Sequence, residues 1–261
     1  MSSRDIANLR QGLVAAWIPS LGSTGYRLVD RVGSNHGVLT NMDAGSDWVV
    51  SGGNLSLDFD GTNDFVTTTL NNIAGVINTN VFTVQVWGYV RSFTNSPVIM
   101  SAGANTSPGT DSLLIETNNT GSQLYIKSAN ATQALNGART YTLSTALQTN
   151  QWCNIVFTKT ATGDNGSLFV NGVLQTSFTG TLNTAVITAS DSLILAAYTN
   201  FLVSLNGQLD DIRIYSRALS ATEISLLSKE RGIGLQPRPK QFTYYQFPSG
   251  SKRRRILTGM P

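Results

Sequence analysis

The chain has 261 residues, 41% of them hydrophobic and only 13% charged, with 24 glycines and a formal net charge of +3. Its single cysteine excludes an internal disulfide, its single histidine leaves little material for His-based triads or His/Cys zinc sites, and no apolar run is long enough to cross a membrane as a helix. The charge is unevenly placed: residues 1–228 hold ten Lys/Arg against fourteen Asp/Glu, whereas residues 229–261 hold eight against one, so the basic character belongs to the C-terminal end and not to a domain face.

The composition is that of a β protein. Glutamate occurs only at Glu116, Glu223 and Glu230, and Gly, Asn, Ser and Thr crowd the gaps between apolar runs. The opening residues, MSSRDIANLRQGLVAAW, have no apolar core behind their basic residues, so they do not read as a secretory leader. The expectation is synthesis in a cytoplasm. Residues 1–11 form an arm before the first strand, GLVAAWI at 12–18, which Pro19 ends. A polar stretch with Asp30 leads to the turn cluster from Gly33 to Gly37 and a short strand at 37–39.

Residues 55–66, LSLDFDGTNDFV, read as a hairpin. Leu55, Leu57 and Phe59 alternate with polar residues, and Asp58, Asp60, Asn63 and Asp64 surround one tight turn. In residues 81–90, Phe82, Val84, Val86 and Val90 line one face and Thr83, Gln85, Trp87 and Tyr89 the other. Strands are expected at 113–115, 123–127, 139–143, 151–158 and 193–197, and Asn171-Gly172 between apolar runs is a strong hairpin signal. Trp17 and Trp152 lie in apolar strands and are assigned to the core.

The stretch 205–227, LNGQLDDIRIYSRALSATEISLL, changes period midway. Ile212 and Ile214 should enter a core while Asp211 and Arg213 face out. Ser220 and Glu223 then read as a capping box opening a short helix that carries Ile224, Leu226 and Leu227. Residues 232–261 have four of the seven prolines, the aromatics Phe242, Tyr244, Tyr245 and Phe247, and the basic run Lys252, Arg253, Arg254 and Arg255. They read as an extended aromatic and basic tail without a core of its own.

The ordered set GLVAAW (12–17), Asp30 with Asn35-His-Gly37, LDFDGTNDFV (57–66), FTVQVWGYV (82–90), QWCNIVFT (151–158), LFVNGV (168–173) and the 205–227 stretch resembles the laminin-G-like jelly rolls of the concanavalin A-like lectin/glucanase superfamily. One departure is Trp152-Cys153-Asn154, where the family usually has Trp-His-His or similar. The resemblance implies an all-β fold over residues 12–231: a two-sheet antiparallel jelly-roll sandwich with a short C-terminal helix, its first and last strands adjacent. It also implies glycan or protein binding through loops or a sheet face, and in many members a structural calcium.

For such an ion the residues offer two clusters: the hairpin set Asp58, Asp60, Asn63 and Asp64, or Asp30 and Asn35 with Asp210 and Asp211, which the implied adjacency would bring together. The competing reading is that these are ordinary turn residues bonded to their own backbone. For glycan contact the aromatic candidates are Trp48, Trp87, Tyr89 and Tyr198. Catalysis is disfavoured, because the superfamily's glucanases place Glu-x-Asp-x-Glu on one strand and no two glutamates here lie within six residues of each other.

The expected function is a non-catalytic structural or binding protein at a virion surface, such as a phage capsid decoration, whose tail docks on neighbouring subunits. The alternative is a carbohydrate-binding or adhesion module that reaches the cell surface by another export route. Nucleic acid is not an expected partner, since a solvated terminus accounts for the basic run.

Overall fold

The structure, a computed structural model, describes residues 8–70, 81–103, 111–128, 138–160, 166–179, 192–198 and 204–235. Among the described residues the strands in chain order are β1 (Leu13–Trp17), β2 (Arg27–Leu28), β3 (Gly37–Thr40), β4 (Trp48–Ser51), β5 (Asn54–Asp60), β6 (Phe65–Thr68), β7 (Phe82–Val90), β8 (Val98–Gly103), β9 (Asp111–Thr117), β10 (Gln123–Ser128), β11 (Ala138–Thr142), β12 (Trp152–Lys159), β13 (Ser167–Val170), β14 (Val173–Gln175), β15 (Ser177–Thr179), β16 (Leu193–Leu195) and β17 (Asn206–Tyr215). Helix α1 (Ala221–Leu227) follows.

Two antiparallel sheets make a jelly-roll-type sandwich. The first runs β14-β13-β12-β7-β17-β5-β4, with β1 also on β17; the second runs β15-β11-β10-β9-β8-β16-β6-β3-β2. First and last strands are adjacent, Trp17 opposite Ile212 and Leu13 opposite Tyr215. Strict alternation on the long strands fills the space between the sheets. Val84, Val86, Ile155, Phe157, Leu209, Ile212 and Ile214 of the first sheet meet Leu113, Ile115, Leu124, Ile126, Leu193 and Leu195 of the second, all buried. The Asn171-Gly172 turn joins β13 to β14 with both residues at positive φ (51° and 77°), the geometry that a two-residue hairpin needs.

The outer face of the first sheet is also covered, and here the expectations need correcting. Asp211 and Arg213 do not reach solvent; both side chains are fully buried. The reason is a bulge in β17 between Asp210 and Arg213, where Asp211 has φ 44°. It puts Asp210 and Asp211 consecutively on the outer face, under a roof made by α1 and residues 231–235. Asp211 grips Arg213 with both oxygens (2.6 and 3.0 Å) and accepts from the Gly232 amide at 2.7 Å; Arg213 Nη2 donates to the Ile233 carbonyl at 2.7 Å. Asp210 accepts from the amides of Ser20 and Asp211 and lies 3.4 Å from Arg231. Beside this polar clamp, Leu9, Leu13, Ile18, Val156, Tyr215, Ile224, Leu227 and Ile233 form a second apolar cluster.

The fold therefore extends past both expected domain limits. Leu9 is buried within the expected arm, and Ile233 within the expected tail. Trp152 is not core: it pairs with Tyr89 on the outer face, while its neighbour Cys153 points inward. Strands β2, β8 and β15 carry weak or no alternation, and no strand was expected at them. The capping box is as read from the sequence. Ser220 Oγ accepts from the Glu223 amide at 3.3 Å, and the Glu223 carboxylate accepts from the Ser220 amide at 2.9 Å and from Arg217.

Two outcomes follow from this packing. Ser220→Ala removes one half of the capping box and should cost about 1 kcal/mol in equilibrium urea unfolding. Burial, followed by the charge of Asp211, pushes the Asp210 carboxyl up to about 7. A carboxyl raised above its unfolded value holds its proton longer in the folded state, so its contribution is present at acid pH and lost as pH rises from about 4 to about 7. Asp210→Asn should remove that loss. Its melting temperature relative to wild type should climb across this window, by the equivalent of on the order of 2 kcal/mol; an offset equal at pH 4.5 and pH 7.5 would contradict the assignment.

Candidate functional site

In the β5–β6 hairpin, each acid has a partner within the chain. Asp58 pairs with Arg91, whose Nη1 also donates to the Phe59 carbonyl and to Asn206 Oδ1, each at 3.1 Å. Asp60 accepts from the Thr62 amide at 2.7 Å, and Asp64 accepts from the Asp60 amide at 3.1 Å. Asn63 contributes its carbonyl to Asn41 Nδ2 at 2.9 Å. Burial holds the Asp64 carboxyl above the ordinary range against that hydrogen bond, and the nearby charges of Asp60, Asp47 and Asp58 add to the rise.

The second cluster is similarly engaged. Asp30 accepts from the amides of Ala16 (2.9 Å), Val32 (3.0 Å) and Asn35 (3.1 Å), which ties the 30–35 loop to β1. Asp210 and Asp211 are held by the clamp described above. Strand adjacency thus serves hydrogen bonds from acids to backbone and to guanidinium groups. Among the described residues no three His, Cys, Asp or Glu side chains form a metal-ligand set. The carboxylates of both clusters already bond backbone amides or arginine, and a calcium ion at either cluster stays a proposal, which titration of the chelated protein with calcium tests.

The aromatic candidates are spread over the molecule. Trp87 donates its indole N–H to the Leu227 carbonyl at 3.1 Å, beneath α1. Tyr89 stacks at a tilt on Trp152 with ring centroids 5.6 Å apart, and Arg231 lies 4.1 Å from the Trp152 ring. Tyr198 is half-buried just past β16. Phe242, Tyr244, Tyr245, Phe247 and the basic run from Lys252 to Arg255 lie outside the described residues.

Trp48 is the candidate on an open edge. It packs partly on the core from β4, the edge strand of the first sheet, and donates its N–H to the Gly25 carbonyl at 3.0 Å. The loop it pins carries Tyr26, 64% exposed, immediately before β2, the edge strand of the second sheet. Tyr26 is held by its backbone: its carbonyl accepts from the Leu39 amide at 3.1 Å, and Thr24 Oγ1 bonds the next carbonyl, that of Arg27. Next to Trp48, Asp47 closes a tight turn by accepting from the Asp43 amide at 2.6 Å, and its carbonyl ties the turn to β5 through the Asp58 amide at 2.8 Å. The result is a fixed loop that offers an open aromatic ring beside hydrogen-bonding groups, at the mouth between the two sheets.

Sequence reasoning passed over Tyr26 because it belongs to no alternating run. The usable signal was a lone aromatic set in a Ser-Thr-Gly turn. As for chemistry at other groups, burial pushes the Cys153 thiol up to about 12, and His36 Nδ1 accepts from the Asp30 amide. Neither is presented as a nucleophile or a general base.

Comparison with known proteins places this geometry. Direct comparison with curated protein sequences gives no match. The structure resembles the Trypanosoma rangeli sialidase in complex with the inhibitor DANA (TM-score 0.59, 16% identity), covering 83% of this chain and 32% of that one, so the chain spans about a third of the sialidase's length. It also resembles domain 4 of AbnA, a GH43 extracellular arabinanase from Geobacillus stearothermophilus, in complex with arabinotriose (TM-score 0.56, 16% identity), covering 83% of this chain and 98% of that domain. At such identities the likeness is one of fold. Residues 60–225, from the β5–β6 turn into α1, match the laminin-G-type model described as concanavalin A-like lectin/glucanases superfamily, and the chain belongs to that superfamily.

Proposed function

We propose that this chain is a non-catalytic carbohydrate-binding module that engages sugar at the sandwich edge around Tyr26 and Trp48. The observation that carries the reading is the exposed Tyr26 ring, held on a loop anchored to Trp48, β3 and its own turn. A rigid aromatic face beside polar groups suits the apolar face of a sugar ring, and presenting it costs little conformational entropy because the loop is already fixed. Support comes from domain 4 of AbnA, matched over nearly its whole length and bound to a trisaccharide. The non-catalytic part of the reading is supported by the described carboxylates. The acids at the β5–β6 turn and on β17 are bonded to backbone amides or to arginine, where glycoside hydrolysis uses two carboxylates placed at the scissile bond.

A virion-surface role with a docking tail at 232–261 remains a proposal that rests on sequence features alone, chiefly the aromatic and basic character of that tail, so it stands behind the sugar-binding reading.

Isothermal titration against a panel of arabino-, xylo- and gluco-oligosaccharides should find at least one ligand with micromolar to millimolar affinity. Tyr26→Ala should weaken it about tenfold, or about 1.4 kcal/mol, with an unchanged circular dichroism spectrum, and prolonged incubation should release no reducing ends. Binding indifferent to Tyr26→Ala would move the site elsewhere; steady release of reducing sugar would overturn the non-catalytic reading.

A further inference from the structure

Among the described residues, the tip of the β4–β5 hairpin is held by side chains and by no third strand. Pairing of β5 with β17 covers only Leu57–Asp60, because β1 takes the place beside β17 from Ile212 to Tyr215. The hairpin therefore leaves β17 at the point where Trp48 lies opposite Leu57, and its tip, residues 51–54, is fixed from elsewhere. Arg231 Nη2 donates to the Ser51 and Gly52 carbonyls (2.5 and 3.3 Å), and the Trp152 indole N–H donates to Ser51 Oγ (3.2 Å). The fit is close: Gly52 has φ 59°, and a methyl group there would fall 3.1 Å from Arg231 Nη2 and 3.2 Å from the Trp152 ring. The guanidinium is itself set in place, 4.1 Å from the centroid of the Trp152 ring, 3.4 Å from Asp210 and only 5% exposed. One side chain thus joins the C-terminal segment, β12, β17 and the hairpin.

The tip and the Tyr26 loop are the two ends of one lever. The strand from Ser51 back to Trp48 is about 10 Å long. Trp48 stands at the hinge, only partly covered by the core, and its indole N–H reaches the Gly25 carbonyl at 3.0 Å. A tip shift of about 2 Å on an arm of about 10 Å turns the hairpin by roughly 10° and carries the indole nitrogen, about 5 Å out from the backbone, by about 1 Å. A hydrogen bond of 3.0 Å stretched by that much is lost. Gly25 is the residue before Tyr26, so the place of the exposed ring depends on where the tip is held.

We propose that Arg231 is a positioning residue for the Tyr26 site: it latches the hairpin tip at the angle from which Trp48 holds the Tyr26 loop. This role rests on the sugar-binding reading, whereas the latch itself is read out without a ligand. Its fork suits the task, because one nitrogen spans two carbonyls while the other faces Asp210. The segment that closes the fold after α1 then also sets the geometry of an edge to which it contributes no ring.

The test uses the full chain labelled with 5-fluorotryptophan, its four fluorine resonances assigned by single Trp→Phe changes. Arg231→Lys keeps the charge and loses the fork; Gly52→Ala, at an exposed position, pushes the tip off the guanidinium. Each should shift the Trp48 resonance and leave that of buried Trp17 in place. With the oligosaccharide that binds best in the panel above, Gly52→Ala should weaken affinity about fivefold in the wild-type background and hardly at all in the Tyr26→Ala background, since both changes remove the same contact. General destabilisation would cost the same in both backgrounds. A Trp48 resonance that stays put in both folded variants, or equal losses in the two backgrounds, overturns the role of Arg231. Movement of Trp48 in a chain that binds none of the sugars supports the latch and overturns the sugar reading.

Discussion

The Asp211–Arg213 pair is the constraint on which the closure of this domain depends. It sits on β17, the strand that joins β7, β5 and β1 into one sheet, and it exists because a bulge turns two consecutive aspartates to the outer face. A buried ion pair by itself adds little net stability, since desolvation offsets its attraction; removing one partner, however, strands a charge at a cost of about 3–5 kcal/mol. What the pair supplies is placement. The pair also accepts from the Gly232 amide through Asp211 and donates to the Ile233 carbonyl through Arg213 Nη2, which fixes one position of the C-terminal segment. The apolar cluster under α1 provides the area, and the pair selects the register.

That clamp also accounts for how the molecule uses its acids. The superfamily's scaffold can hold carboxylates for metal binding or catalysis, and this chain has aspartates at both plausible places. In the described structure they cap turns, tie loops to strands and neutralise guanidinium groups. On the reading proposed above, the sandwich edge around Tyr26 and Trp48 offers a ligand an aromatic ring and hydrogen-bonding groups.

Most of the sandwich was legible in the sequence because its long strands are amphipathic. The alternation at 82–90, the Asn171-Gly172 turn, the Ser220/Glu223 box and the pairing of first and last strands are all set by local pattern or by a shared order of motifs. Legibility failed where two faces of one strand are both covered. Asp211, Arg213 and Trp152 occupy positions whose period says outside, or whose apolar neighbours say inside, and only the roof over the first sheet decides which. The candidate site was half legible. Trp48 stood out as an indole near a turn, but the exposure of Tyr26 depends on two edge strands of different sheets meeting there, which no local pattern encodes.

The same roof brings the two ends of the described fold together, with Arg10 Nε 3.0 Å from the Gly234 carbonyl. Termini that touch make the backbone topologically close to a ring. A short peptide bridging residues 8 and 235, with a new opening at an exposed turn such as Asn95, should give a circular permutant with the same sandwich. By the same logic the module can be spliced into a loop of a host protein: it would enter and leave through a single gap and leave the spacing of the host unchanged.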